Sequence, residues 1–349
     1  MVAVPVQDAW FLTGPTASGK SAVGVELARR IGAEIVSMDS IAIYRGMDIG
    51  TAKPTPQERR EVPHHLIDVL DPWEEFSLAQ YVEAAGQVAA EIVHRGRQVL
   101  FVGGTPLYLK GLLRGIFQGP PADWELRRRL ADDAKHNAVG WLHERLAAVD
   151  PVAASRLHPN DARRLIRAIE VFEKTGRPIS QLQQQFEVGR PAADCRVFVL
   201  DWPREELCRR IDRRVEEMFT AGLVEEVCNL LANPRRLSRT ARQAVGYREV
   251  IEHLEGRRSV TETIELVQQH TRQLAKRQST WFRSLSECRF LTVSRQQKPA
   301  EAAELIASAV DSRKRDELLE DRMGIEDAKK ALNEPGSVPW KDVREDLGL

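Results

Sequence analysis

Gly14-Pro15-Thr16-Ala17-Ser18-Gly19-Lys20-Ser21 is the stretch on which the fold turns. It fits G-x-x-x-x-G-K-[ST], a pattern that works only where a strand ends and a helix begins. Only there do successive backbone N–H groups converge on phosphate oxygens. The flanks supply that context. Trp10-Phe11-Leu12-Thr13 is a short apolar run of strand character, and Ser21 to Ile31 reads as a helix with Val23, Val25, Leu27 and Ala28 available to pack. The glycines permit backbone geometry that a Cβ forbids. Lys20 adds charge, and Ser21 adds a hydroxyl suited to a magnesium ion. By itself the loop reads as nucleotide-binding, of the ATP-binding kind, and it implies a ligand with at least two phosphates.

Downstream, Glu34 to Ser37 is a second strand that runs out at Met38-Asp39-Ser40. In open α/β sheets ligands sit at the carboxyl ends of strands, so Asp39 is a candidate for substrate contact or proton transfer. A cap on the following turn is its other reading. Ile41 to Lys53 is a long connection, and long connections in compact domains are usually functional. His65 to Val69 is expected as a short strand, and Ser77 to Arg95 as a helix capped by Ser77 and stopped at Gly96. Gln98 to Val102 is the clearest buried strand, and it ends at Gly103-Gly104-Thr105. A Walker-B NTPase would usually place an Asp there, so its absence weakens a plain ATPase or kinase reading. Thr105 brings a hydroxyl to the same edge as Asp39 and the loop, or caps the next helix; the two roles are compatible.

Gly119-Pro120-Pro121 marks a boundary, and 119–189 reads as an all-helical insertion domain. Helices are expected over Trp124 to Ala134, Gly140 to Val149 and Asp161 to Lys174. The last carries Arg163, Arg164 and Arg167, either a solvated basic face or an RNA-facing one. Arg196 to Leu200 returns to strand character. Two arginine-rich runs follow, Arg204 to Arg214 and Arg239 to Arg248. Thr261 to Leu285 is the most amphipathic helix, with Val267, Leu274, Trp281 and Leu285 on one face at about 100° per residue. Arg272, Lys276 and Arg283 fall nearly opposite, and no acidic residue lies between Gln268 and Arg283, which suits phosphate contact. Arg289 to Val293 is expected as a last strand and Pro299 to Val310 as a last helix. The fold class is therefore α/β: a P-loop parallel sheet flanked by helices, formed by 1–118 and 190–310. Residues 311–349 read as a charged tail, loosely helical and then extended, outside the catalytic unit.

Composition narrows the classes. The 349 residues suffice for about two domains. Lys plus Arg equal Asp plus Glu at 51 each, so any nucleic-acid contact must come from local patches. No apolar run approaches a membrane span and no export signal is visible, so a cytoplasmic protein without membrane contact is expected. Cys195, Cys208, Cys228 and Cys288 lack C-x-x-C spacing and read as reduced thiols. The histidines show no metal-ligand spacing.

Taken together, GPTASGKS, the run from Asp39-Ser40 through Tyr44-Arg45-Gly46-Met47-Asp48-Ile49-Gly50-Thr51-Ala52-Lys53-Pro54, PHHLID, VGGT, HPND, VGYRE and RQLAKRQSTWFR resemble the bacterial tRNA dimethylallyltransferases, the isopentenyltransferase family. The resemblance runs from the N-terminus to about Val310. It implies transfer of a dimethylallyl group from dimethylallyl diphosphate to the exocyclic amine of the adenosine 3′ of the anticodon, with Mg2+ as cofactor, the tRNA anticodon stem-loop as partner, and a monomer as the working form. It also implies that Gly14 to Ser21 hold diphosphate, with Lys20 absorbing charge. Asp39 becomes the general base and Thr105 stands beside the reacting centre. Contacts to tRNA are implied for Asp39, Ser40, Ile41, Ala42, Thr105, Arg127, Arg163, Arg164, Leu165, Ile166, Arg167, Arg242, Gln243, Ala244, Val245, Gly246, Tyr247 and Arg248, and the basic helix adds Arg272, Lys276 and Arg277. Many relatives carry Gln at the position of Ala42, and Thr is commoner at that of Ser21. A P-loop small-molecule kinase shares the loop and the Asp after the second strand. A non-catalytic RNA-binding protein would explain the basic helices alone, and an enzyme prenylating free AMP would not need the insertion.

Overall fold

The computed structural model describes residues 6, 9–117, 119–183 and 189–310. The tail expected over 311–349 lies outside them. Apolar, β-branched runs become β1 (Trp10–Thr13), β2 (Ala33–Ser37), β4 (Gln98–Gly103) and β5 (Val197–Asp201). With β3 (His64–His65) and β6 (Cys288–Thr292) they form one parallel sheet in the order β3-β2-β4-β1-β5-β6. Central strands buried on both faces need near-continuous apolar sequence, which these runs have.

Helices cover both faces. α1 (Lys20–Ile31) and the helix over 299–310 pack on one side around Leu12, Leu27, Leu100 and Ile306. After α2 (Pro56–Glu61), α3 (Leu78–His94) and α4 (Pro106–Arg114) cover the other side around Phe11, Phe101, Ile92 and Leu109. Ser77 caps α3 in a reciprocal capping box with Gln80.

The strand expected over His65 to Val69 stops at His65. Leu66 and Asp68 take φ of 58° and 57°, which turns the chain, while Lys53 Nζ and Arg59 Nη1 each hold the Asp68 carboxylate at 2.6 Å. Charge pairing outweighs the β-propensity of the run. The long 41–53 connection keeps turn geometry but buries Ile43, Tyr44 and Met47 in a cluster of its own with later helices.

Insertion helices α5 (Trp124–His136), α6 (Trp141–Val149), α7 (Pro151–Arg156), α8 (Ala162–Thr175) and α9 (Ile179–Leu182) share a separate core built on Leu130, Leu146, Leu165 and Ile169. Leu165 and Ile166 are thus committed to packing, and their side chains do not face outward. After β5 come α10 (Arg204–Thr220), α11 (Leu223–Leu231), α12 (Arg239–Arg242), α13 (Tyr247–Leu254) and α14 (Val260–Arg283). α14 buries Val267, Ala275, Gln278 and Phe282, whereas Trp281 is 41% exposed. Its packed stripe is rotated from the one the periodicity suggests, because α10 and the phosphate loop claim the side that carries Gln278.

Neighbouring strands β1 and β4 send their onward connections in opposite directions, β1 towards β2 and β4 towards β5. The crevice at such a switch point, on the carboxyl edge, is where this architecture places ligands. Close approach there is demanding. A Cβ on Gly103 would lie 2.1 Å from the Met38 carbonyl oxygen, backbone that cannot swing aside. We therefore expect Gly103→Ala to destabilise the fold by about 3 kcal/mol. Gly32→Ala, which meets nothing within 4 Å but sits at φ +66°, should cost about 1 kcal/mol. Urea unfolding of the two variants checks the contrast, and equal midpoints would refute it.

Candidate active site

The phosphate loop leaves β1 through Gly14, where φ is +153° and a Cβ would lie 3.0 Å from the Leu200 carbonyl oxygen, so a side chain is excluded. It enters α1 through Gly19 in left-handed geometry at φ 84°. Between them, Pro15 accepts hydrogen bonds from Ser18 N at 3.2 Å and Lys20 Nζ at 3.4 Å. Ala17 holds φ 63°, a strained conformation for a residue with a Cβ. Distant parts of the chain hold that shape. Arg210 Nε donates to the Ala17 carbonyl at 2.8 Å, Trp202 Nε1 donates to the Ser18 carbonyl at 2.8 Å, and the Arg210 guanidinium stacks on the Trp202 ring.

Arg214 donates to Thr16 Oγ1 at 3.1 Å, so α10 brings two arginines to the loop. Gln278 on α14 ties the loop to the end of β4. Its Oε1 accepts from Thr16 N at 2.9 Å, and its Nε2 donates to the Gly104 carbonyl at 2.6 Å. Gly104 is glycine for a related reason: a Cβ there would lie 2.9 Å from Gln278 Nε2 and 3.3 Å from Lys20 Nζ.

Burial pushes the Lys20 ammonium down to about 8, partly opposed by the nearby Asp39 carboxylate and reinforced by Arg214. Burial likewise lowers Arg214, again opposed by Asp39. Two half-buried cations held side by side at the cavity make a strong anion trap.

Asp39 follows β2 and sits at the mouth of this trap. Its Oδ1 accepts from Ile41 N at 2.9 Å and Ala42 N at 3.3 Å, while Oδ2 makes no hydrogen bond among the described residues. The turn-capping reading is therefore correct for one oxygen, and the other stays available. Thr105 starts α4 but makes no side-chain cap; instead its Oγ1 accepts from Ser40 N at 3.1 Å. That bond ties the β4 edge to the β2 edge.

A cavity of about 780 Å³ joins these groups. Its lining includes Lys20, Ser21, Arg213, Arg214 and Gln278 together with Asp39, Thr105, Ser40 to Ala42, Gly50 to Pro54, Gln243 to Val245, Tyr247 and Arg277.

Several expected tRNA contacts are engaged elsewhere. Arg127 makes a 2.8 Å pair with the buried Glu170, Arg167 pairs with the same carboxylate, and Arg164 pairs with Asp161. Burial alone would raise Glu170, but the two guanidiniums hold it below the usual carboxylate value. Arg163 is exposed on the insertion. None of these residues lines the cavity. Gly246 donates its N–H to Glu249, Arg248 pairs with Glu249, and Arg242 lies 3.3 Å from Glu255.

The basic stripe on α14 is also thinner than its sequence suggests. Arg272 pairs with Asp212 and Arg283 with Asp201, so acids supplied by α10 and β5 neutralise it, and Lys276 stays exposed. Arg210, Arg214 and Gln278 are site residues that the sequence reading passed over. The arginine-rich run and the RQLAKRQSTWFR string were the signals at hand.

This geometry is that of a P-loop site whose phosphate loop opens into a cleft shared with Asp39 and Thr105. The IPP transferase family model matches residues 42–285, and the chain belongs to that family. Similar relatives are the tRNA dimethylallyltransferases of Rhodopirellula baltica, 49% identical over 81% of this chain and 87% of the relative, and of Geobacter metallireducens, 50% identical over 79% and 90%. Among solved structures, the tRNA isopentenylpyrophosphate transferase of Bacillus halodurans is similar with 36% identity and a TM-score of 0.63, covering 89% of this chain and 99% of that one. A eukaryotic dimethylallyltransferase acting on tRNA is 25% identical with a TM-score of 0.71, covering 87% and 78%.

Burial lowers Lys20 to about 8, so its help in attracting inorganic pyrophosphate should fade as pH rises from 7 to 9. Relative to Lys20→Met, which keeps only the pH dependence of pyrophosphate's own ionisation, the wild-type advantage should shrink about tenfold. Calorimetric titration of both proteins across that range decides it; a wild-type to Lys20→Met affinity ratio independent of pH would contradict the assignment.

Proposed function

We propose that this chain transfers the dimethylallyl group of dimethylallyl diphosphate to the exocyclic amine of the adenosine 3′ of the anticodon in tRNA, releasing diphosphate. The observation that supports it most is the shared cavity: a phosphate loop reinforced by buried cations opens directly onto Asp39 and Thr105. An aromatic amine is a weak nucleophile, so it needs a positioned base and an electrophile with a good leaving group. Asp39 Oδ2 takes the amine proton, while Oδ1 stays pinned to the Ile41 and Ala42 amides and keeps the carboxylate aimed. Thr105 Oγ1 is oriented by Ser40 N to stand beside the reacting nitrogen. Charge that develops on the departing diphosphate is met by Lys20, Arg214 and the loop amides, which are already in place.

Mg2+ is part of this proposal. The loop offers one ligand, the Ser21 hydroxyl, and the described residues contain no group of three or more His, Cys, Asp or Glu that could hold a metal. A single protein oxygen fits Mg2+, which keeps most of its waters and takes phosphate oxygens from the substrate. Bound there, it would add positive charge on the leaving group. Action as a monomer is also part of this proposal. No described helix is long and apolar enough to cross a membrane.

Incubation with Mg2+ and labelled dimethylallyl diphosphate, in the presence of anticodon stem-loop RNA or AMP, tests the reading. Label should enter RNA. Label in AMP instead, or phosphoryl transfer from ATP with no prenylation, would overturn it. Asp39→Asn should lower the transfer rate by about 10³-fold with RNA affinity within about threefold of wild type. Near-normal turnover in that variant would remove Asp39 from the role of base.

A further inference from the structure

Two segments far apart in sequence help line the cavity, Gly50 to Pro54 and Gln243 to Val245 with Tyr247. One carboxylate holds them together. Glu226, on α11, accepts from Asp48 N at 2.9 Å and Ile49 N at 2.7 Å through Oε2, and from Gly50 N at 3.3 Å through Oε1. The Tyr247 hydroxyl donates to Oε1 at 2.6 Å.

Three successive backbone N–H groups pointing at one spot form a nest that selects an anion, and here the anion is built into the chain. The fit is tight on the opposite side too. A Cβ on Gly50 would lie 2.5 to 2.8 Å from the Tyr247 ring, so the turn and the ring are in direct contact. Beneath them α11 and α13 share a core through Leu223, Val227, Val250 and Ile251. Removing the carboxylate would leave three N–H groups and one hydroxyl to find new partners at the edge of the cleft.

We infer that Glu226 is a positioning residue for the acceptor nucleotide: it clamps the 48–50 turn to Tyr247 and so fixes the width of the cleft opposite Asp39. It acts through the cavity wall and touches no reacting atom. A carboxylate accepts all four hydrogen bonds, whereas an amide offers one good acceptor oxygen and can keep only those of the Asp48 and Ile49 amides. Burial and the adjacent Glu226 charge push the Tyr247 phenol above the ordinary tyrosine value, so its hydroxyl remains a donor throughout the working pH range.

The inference rests on the prenyl-transfer reading, so its test has one arm that needs no turnover. Backbone amide exchange is followed at 48–50 in wild type, Glu226→Ala, Glu226→Gln and Tyr247→Phe, and the same proteins are assayed for transfer to anticodon stem-loop RNA. Glu226→Ala should speed exchange at these amides at least about tenfold and lower kcat about 30-fold, with KM for dimethylallyl diphosphate within about twofold. Glu226→Gln should recover most of kcat, to within about fivefold of wild type, because it keeps an acceptor for the Asp48 and Ile49 amides. Tyr247→Phe combined with Glu226→Ala should be no worse than Glu226→Ala alone, since both changes break one clamp.

Unchanged exchange in Glu226→Ala, or kcat within twofold of wild type, overturns the clamp. So does a loss of kcat accompanied by a lower unfolding midpoint and no recovery in Glu226→Gln, because that is general destabilisation. A wild-type protein that prenylates nothing overturns the functional reading instead, and amide exchange then decides the clamp by itself.

Discussion

Lys20 sits in an environment that disfavours its charge. Burial drives its titration down to about 8, and Arg214 stands close enough to add repulsion. The arrangement persists because side chains from outside the loop are fastened to it: Arg214 to Thr16, Arg210 to the Ala17 carbonyl, and Gln278 to Thr16 N and, beyond the loop, to the Gly104 carbonyl. Concentrated positive charge of this kind gains most when an anion arrives, and gains further as that anion takes on charge during bond cleavage. The sheet, the flanking helices and the strained turn at Ala17 all serve to hold these cations where water cannot relax them.

Carboxylates that gather several donors, most of them buried, give the molecule its second organising device. Glu170 joins the insertion to the chain entering it, through Arg127, Arg167 and the Asp123 amide. Glu249 holds the Gly246 amide and His270, and Glu287 holds Arg114. Glu226 does the same for the turn at 48–50. Breaking one partner of such a set leaves an uncompensated charge, so each loop it fastens has few alternative positions.

Much of the fold was legible in the residues. Strands β1, β2, β4 and β5 are apolar runs with clear ends, and α3 announces itself by Ser77. Asp39 and Thr105 were findable because strand ends in a parallel sheet are where side chains meet ligands. The misreadings have specific causes. His65 to Val69 has strand composition, but Lys53 and Arg59 pull Asp68 into a turn. Arg272 and Arg283 look unopposed along α14, yet Asp212 and Asp201 approach from other elements. Periodicity counts the charges on one helix and cannot see what packs across from them.

By itself the sequence determined the phosphate loop, the strand-to-helix transition it requires, the apolar strands and the separate helical insertion. Each depends on neighbours within a few residues or on a short repeat. Only the tertiary structure decided which groups surround that loop. Gln278 reaches Thr16 across 262 positions, Arg214 reaches it across 198, and Glu226 reaches Asp48 across 178. Such contacts follow from how α10, α11 and α14 pack against the sheet edge, and that packing depends on the summed burial of many side chains, which no local pattern encodes.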